Sequence, residues 1–179
     1  MNKIWFGESF DYNNMSPANW LVEASGIPFG LMGDMLQGGG NPWRGMVYGM
    51  TVRYPWNTEG VSCDPRDIWK IWDEFGIESA RMIGYWEKKC PVKTSHPGIY
   101  ATIYQKESKT LIAVASWAEQ PIKFSFQFDW KALGIDPEKA ILIAPEIKNF
   151  QHYTIFKPGD SIPVEPKKGW LLYIQRKNQ

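Results

Sequence analysis

The chain has 179 residues, 44% hydrophobic and 22% charged, and its 20 Lys and Arg against 19 Asp and Glu leave a formal net charge of +1. This composition suits a chain that buries a core and excludes a disordered or fibrous one. The near-neutral balance argues against a nucleic-acid partner, which normally needs a basic face, and no apolar run approaches the ~20 residues of a membrane-spanning helix.

In chain order, the run Ile4-Trp5-Phe6-Gly7-Glu8 reads as a short strand ending in a carboxylate, and Phe10, Asp11 and Tyr12 follow it. The amino terminus has no apolar stretch before a small-residue cleavage site, so it does not read as a signal peptide, and the sequence leaves the compartment open. Trp20-Leu21-Val22-Glu23-Ala24 is a second apolar run and Gly45-Met46-Val47-Tyr48-Gly49-Met50 a third. Continuous apolar runs of this kind suit strands covered on both faces, as in parallel sheets. Asp34 falls in the Gly-rich stretch between them and reads as a turn residue. The segment Gly38-Gly39-Gly40-Asn41-Pro42-Trp43-Arg44 lacks the Lys-Ser/Thr ending of a phosphate-binding loop. It reads instead as an open loop, with Trp43 able to stack on a sugar and Arg44 to bind a hydroxyl or carboxylate. Trp56 sits in the next loop.

Residues 64–76 carry the strongest helix pattern. Asp64 caps the first amides, Pro65 occupies the first helical position, Ile68, Trp72 and Phe75 repeat at helical spacing, and Gly76 closes the element. From about residue 80 the period changes to two. In Ile122-Lys123-Phe124-Ser125-Phe126-Gln127-Phe128 the apolar and polar side chains alternate without a fault. Further strands are expected at 99–105, 110–117, 140–144, 153–156 and 170–174, with a hairpin turn at 107–109 and a helical turn from Asp136. The predicted fold class is therefore α/β plus all-β. Residues 1–80 read as the end of a (β/α)8-type barrel and residues 81–179 as an antiparallel β-sandwich domain.

Several stretches resemble the carboxy-terminal part of large bacterial glycoside hydrolase-like proteins. They are Trp20-Leu21-Val22-Glu23-Ala24-Ser25-Gly26-Ile27-Pro28-Phe29-Gly30, Asn41-Pro42-Trp43-Arg44-Gly45-Met46, Ile68-Trp69-Lys70-Ile71-Trp72-Asp73-Glu74-Phe75-Gly76-Ile77, and, further on, Ser116-Trp117-Ala118, Asp129-Trp130-Lys131-Ala132-Leu133-Gly134, Ala144-Pro145-Glu146 and Gly169-Trp170-Leu171-Leu172. The characterised group they resemble is glycoside hydrolase family 123. The resemblance implies a carbohydrate substrate. Enzymes of that family act on N-acetylgalactosaminides through the substrate's own acetamido group, aided by an adjacent Asp-Glu pair. Here the adjacent pair is Asp73-Glu74, inside the predicted helix rather than at a strand end, so that mechanism is not carried over.

Glycosidic cleavage needs one carboxylic acid for the leaving oxygen and a second carboxylate as base or nucleophile, and barrels place such groups at the carboxy-terminal ends of strands. The candidates are Glu8, Asp11 and Glu23, with Tyr12, Trp43, Arg44 and Trp56 as substrate-binding residues. The bland alternatives are a buried ion pair of Glu8 with Arg44 or Arg53, and of Glu23 with Arg44. A second reading makes the chain a non-catalytic carbohydrate-binding or barrel-bracing module, with Trp117 and Trp130 as its first suspects. Cys63 and Cys90 have no nearby His or Cys to make a zinc site, and neither metal nor cofactor is expected. A barrel takes ~250 residues, so a three-strand slice is expected either to belong to a longer barrel or to self-associate.

Overall fold

In the computed structural model, residues 3–6, 9–24, 32–35, 40–54, 63–107 and 109–176 are described. Three short strands, β1 (Lys3–Phe6), β2 (Met32–Met35) and β3 (Met50–Val52), lie parallel in the order β1-β2-β3. The first is the one read from the sequence; the other two come from different residues than expected. Met32–Met35, which includes Asp34, forms the central strand where the glycines pointed to a turn.

The run Trp20–Ala24 is helical, not extended. Ser16 caps a turn whose first position is Pro17, its hydroxyl accepting from Asn19 N at 3.2 Å, and α1 (Pro17–Asn19) continues into a π-helical turn over Trp20–Ala24. Trp20 is fully buried while Val22 is 75% exposed, so the run has one buried side only. Five apolar residues cannot tell a strand from a helical turn; the Ser-Pro pair ahead of them decides. The third run divides in the same way. Asn41 accepts from Arg44 N at 3.0 Å and caps α2 (Pro42–Val47), Gly49 turns the chain at φ 73°, and only then does β3 begin.

The helix α3 (Pro65–Phe75) has its predicted bounds. Asp64 accepts from Arg66 N, and Gly76 adopts the left-handed conformation at φ 72° that a residue with a Cβ avoids. Ile68, Trp72 and Phe75 are buried, and Trp69 reaches β3 through Nε1 donating to Thr51 Oγ1 at 2.7 Å.

The remaining chain is antiparallel. A six-stranded sheet runs β11-β10-β13-β7-β6-β4, from β4 (Arg81–Ile83), β6 (Ile99–Gln105), β7 (Thr110–Ser116), β10 (Ala140–Ala144), β11 (Thr154–Phe156) and β13 (Gly169–Arg176). Two ladders lie beside it: β5 (Val92–Thr94) with β9 (Phe126–Phe128), and β8 (Ile122–Phe124) with β12 (Ile162–Val164). The alternating segment 122–128 thus splits at Ser125, where the chain passes from one ladder to the other. Phe124, Phe126, Ile162 and Val92 share a core with Ile103, Ile112 and Val114 on one face of the large sheet. The other face carries Tyr104, Leu111, Ala113 and Ala115, which share a second core with Met35, Met46, Tyr48, Trp72 and Phe75. Every residue of β7 is consequently buried, and its alanines leave room for α2 to cross. The architecture is mixed α/β with mostly antiparallel sheets, and its parallel and antiparallel parts share a core. Cys63 and Cys90 are buried thiols.

Candidate functional site

The loops that leave the carboxy-terminal ends of the parallel strands are the place to look for chemistry. Trp56 and Glu8 lie outside the described residues. Ser9 follows at φ 67°, a left-handed backbone rare for a residue with a Cβ. Asp11 comes next and is exposed. Its Oδ1 accepts from Asn13 N at 3.1 Å and Asn14 N at 3.0 Å, and its Oδ2 accepts from Asn14 Nδ2 at 2.8 Å. The bond from Asn14 leads the causes that hold its carboxyl below the usual carboxylate range, followed by the two backbone amides and Lys167. Asp11 therefore builds the turn it sits in.

Trp43 and Arg44, expected on an open loop, lie in the first turn of α2 and are buried. Trp43 stacks on Phe150 with ring centroids 4.6 Å apart and 9° between planes, so its faces are spent on the core. Arg44 is 3% exposed and engages no carboxylate among the described residues. Its Nη1 donates to Asn13 O at 2.6 Å and Tyr12 O at 3.4 Å, while Nε and Nη2 donate to Ser116 O at 3.3 and 3.0 Å. The guanidinium lies 4.2 Å from the Trp117 ring centre. Burial draws its pKa down to about 10, which leaves it charged at neutral pH; the Asp11 carboxylate opposes that shift, and the carbonyl dipoles and the ring also favour the charged form.

Four further bonds follow the same path. Asn41 Nδ2 donates to Asn13 Oδ1 at 3.0 Å and to Lys167 O at 2.9 Å; Lys167 Nζ donates to Asn14 Oδ1 at 3.1 Å; Trp117 Nε1 donates to Met15 O at 3.0 Å. Together these bonds clasp the loop after β1 and the start of α2 against two turns of the antiparallel part, at 116–117 and 165–168. Tyr12 and Arg44 are thereby brought together, with Asp11 on the same loop. Tyr12 is 5% exposed and belongs to the core.

Glu23 is exposed at the end of the π-helical turn and takes no part in this clasp; Arg44, its suggested partner, is occupied elsewhere. Asp73 and Glu74 are exposed on α3, where Glu74 pairs with Lys70 at 3.9 Å. Asp34, expected in a turn, lies instead on the parallel sheet. It is 7% exposed on the central parallel strand, one residue before that strand's end and between Trp5 and Thr51. A carboxylate at a strand end is the signal, hidden here by the surrounding glycines. Asn41 was equally legible, since Asn41-Pro42 has the same capping grammar as Asp64-Pro65. Among the described residues no group of three His, Cys, Asp or Glu side chains could hold a metal ion, and no helix is long and apolar enough to cross a membrane.

Comparison with known families gives two matches. The model of the glycoside hydrolase 123 C-terminal domain matches residues 64–175, and that of the glycoside hydrolase 123 TIM-barrel domain matches residues 1–55. No curated protein matches the chain.

Proposed function

The chain belongs to glycoside hydrolase family 123, and from that premise we propose that it acts on carbohydrate at the loops beyond its parallel strands. In this reading residues 1–80 are the closing part of a (β/α)8-type barrel and residues 81–179 an antiparallel β-sandwich that braces it. Glu8 and Asp34 are the carboxylates assigned to acid and base work. Asp11 shapes the rim, and Glu23 stands outside it. The observation that carries the reading is the clasp. The antiparallel part bonds to the very loops at which barrel enzymes keep their chemistry, through the buried guanidinium of Arg44 and three further side-chain hydrogen bonds. A brace at that position fixes the geometry of whatever the loops carry.

The test is release of nitrophenol from a panel of aryl glycosides, N-acetylgalactosaminides included, by the chain and by Glu8→Gln and Asp34→Asn. Loss of an acid or base is expected to lower turnover by on the order of 10²–10⁴-fold. Wild-type rates in both variants would overturn the assignment. Sugar binding without turnover would favour the non-catalytic alternative, in which the chain only braces and binds.

A further inference from the structure

A shallow groove of about 210 Å³ opens on the antiparallel part, lined by Tyr85, Lys93, Thr94, His96, Pro97 and Tyr100. Its wall is aromatic and fixed. The half-buried rings of Tyr85 and Tyr100 lie 4.4 Å apart at 48°. Tyr100 meets Trp117 edge-on at 5.4 Å, and Tyr85 meets Trp86 edge-on at 5.2 Å. The Tyr85 hydroxyl is 3.0 Å from that of Tyr48, whose ring is stacked between Trp20 at 5.4 Å and Trp86 at 5.8 Å. Aromatic faces held this firmly lose little entropy when a ligand packs on them.

The rim is polar. His96 Nδ1 accepts from Gly98 N at 3.0 Å, which puts the proton of the neutral imidazole on Nε2 as an available donor. Lys93 Nζ donates to Glu87 O at 3.2 Å and Tyr85 O at 3.5 Å, so its ammonium stays at the groove. Two other cavities lack this pairing. One of about 400 Å³ is rimmed by Arg81, Lys88 and Lys89 and has no ring in its wall. In the other, of about 240 Å³, the Trp170 ring is almost wholly buried and its N–H is taken by Pro163 O at 2.7 Å.

We propose that the groove is an outer carbohydrate subsite, taking one pyranose unit of an extended glycan against the Tyr85 and Tyr100 rings. Two fixed tyrosine rings, inclined to one another, beside a few fixed polar groups offer the apolar contact and the hydrogen-bond partners that the C–H face and hydroxyls of a pyranose match. Its place in the molecule suits a chain of sugars rather than one. Trp117 joins the groove to the clasped loop, touching Tyr100 on one side and bonding to Met15 O on the other. The ligand class rests on the carbohydrate reading above; the groove's geometry does not.

The test is an NMR titration of the intact chain. The probes are mono- and oligosaccharides of gluco- and galacto-configured pyranoses and their 2-acetamido forms. Oligosaccharides are expected to shift the amides of Tyr85, Lys93, His96 and Tyr100. Tyr100→Ala is expected to weaken their binding about tenfold, and His96→Ala, at the groove's half-buried rim, to weaken it without altering the fold. Shifts confined to residues 9–16 and 40–44, or oligosaccharide binding unmoved by either variant, would overturn the subsite and leave the proposed function standing. No shift with any probe would overturn both.

Discussion

Arg44 carries the most at the scale of single residues. The sequence marks it as an exposed ligand of sugar or carboxylate, because a residue after Gly-Gly-Gly-Asn-Pro-Trp reads as a loop; its real partners are carbonyls, one of them 72 residues further along. No spacing rule reports such a partner. Replacing Arg44 by Ala strands the buried Ser116 O and takes the donor from Asn13 O. It is expected to cost about 2–4 kcal/mol, read from denaturant unfolding; a loss within experimental error would show the clasp to be decorative. Asp11 gives a prediction in pH. Its carboxyl is held below the ordinary value of 3.8, so the anion's contribution to the turn is present above that value and disappears as pH falls through the folded-state pKa. Exchange of the Asn13 and Asn14 amides should therefore quicken selectively in acid, and Asp11→Asn should blunt that acid response.

Among the elements, what could be read from sequence follows how much of each signal is local. Helix α3 is legible to the residue because its cap, its first-position proline, its buried stripe and its closing glycine all lie inside 64–76. The strands β6 and β10 are legible because alternation and turn residues bracket them. The helical turn at 20–24 and the helix α2 were misread as strands because their apolar runs are short and their caps lie outside the runs. Gly169 shows a constraint no local pattern announces. A Cβ there would lie 1.7 Å from Val114 O across the β7–β13 ladder, so the close approach of two strands requires glycine. Gly169→Ala is expected to shift backbone and to destabilise by about 2 kcal/mol or more. The same change at Gly159, where a Cβ would meet nothing within 4 Å, should leave the melting temperature nearly unchanged.

For the whole molecule, the two halves seen in the sequence exist as different kinds of sheet but do not stand apart. Met35 and Met46 from the first half and Tyr104, Leu111 and Ala115 from the second lie in one core, and Tyr104 Oη donates to Met46 O at 2.6 Å inside it. Burial lifts the Tyr104 phenol well above its ordinary range, as suits a hydroxyl that donates and never ionises. Of the candidate site only the family was legible: Glu8 lies outside the described residues, Asp11 builds a turn and Glu23 lies outside the clasp. Its framework was not legible, because it is made of contacts between distant segments: Arg44 with Ser116 72 residues on, and Trp117 with Met15 and Asn41 with Lys167 more than 100 residues apart. Carbohydrate is therefore expected to meet the clasped loops. The most direct measurement is amide hydrogen exchange across the intact chain with and without methyl N-acetylgalactosaminide. The account predicts new protection at residues 9–16 and 40–44; unchanged exchange there at saturating sugar would contradict it.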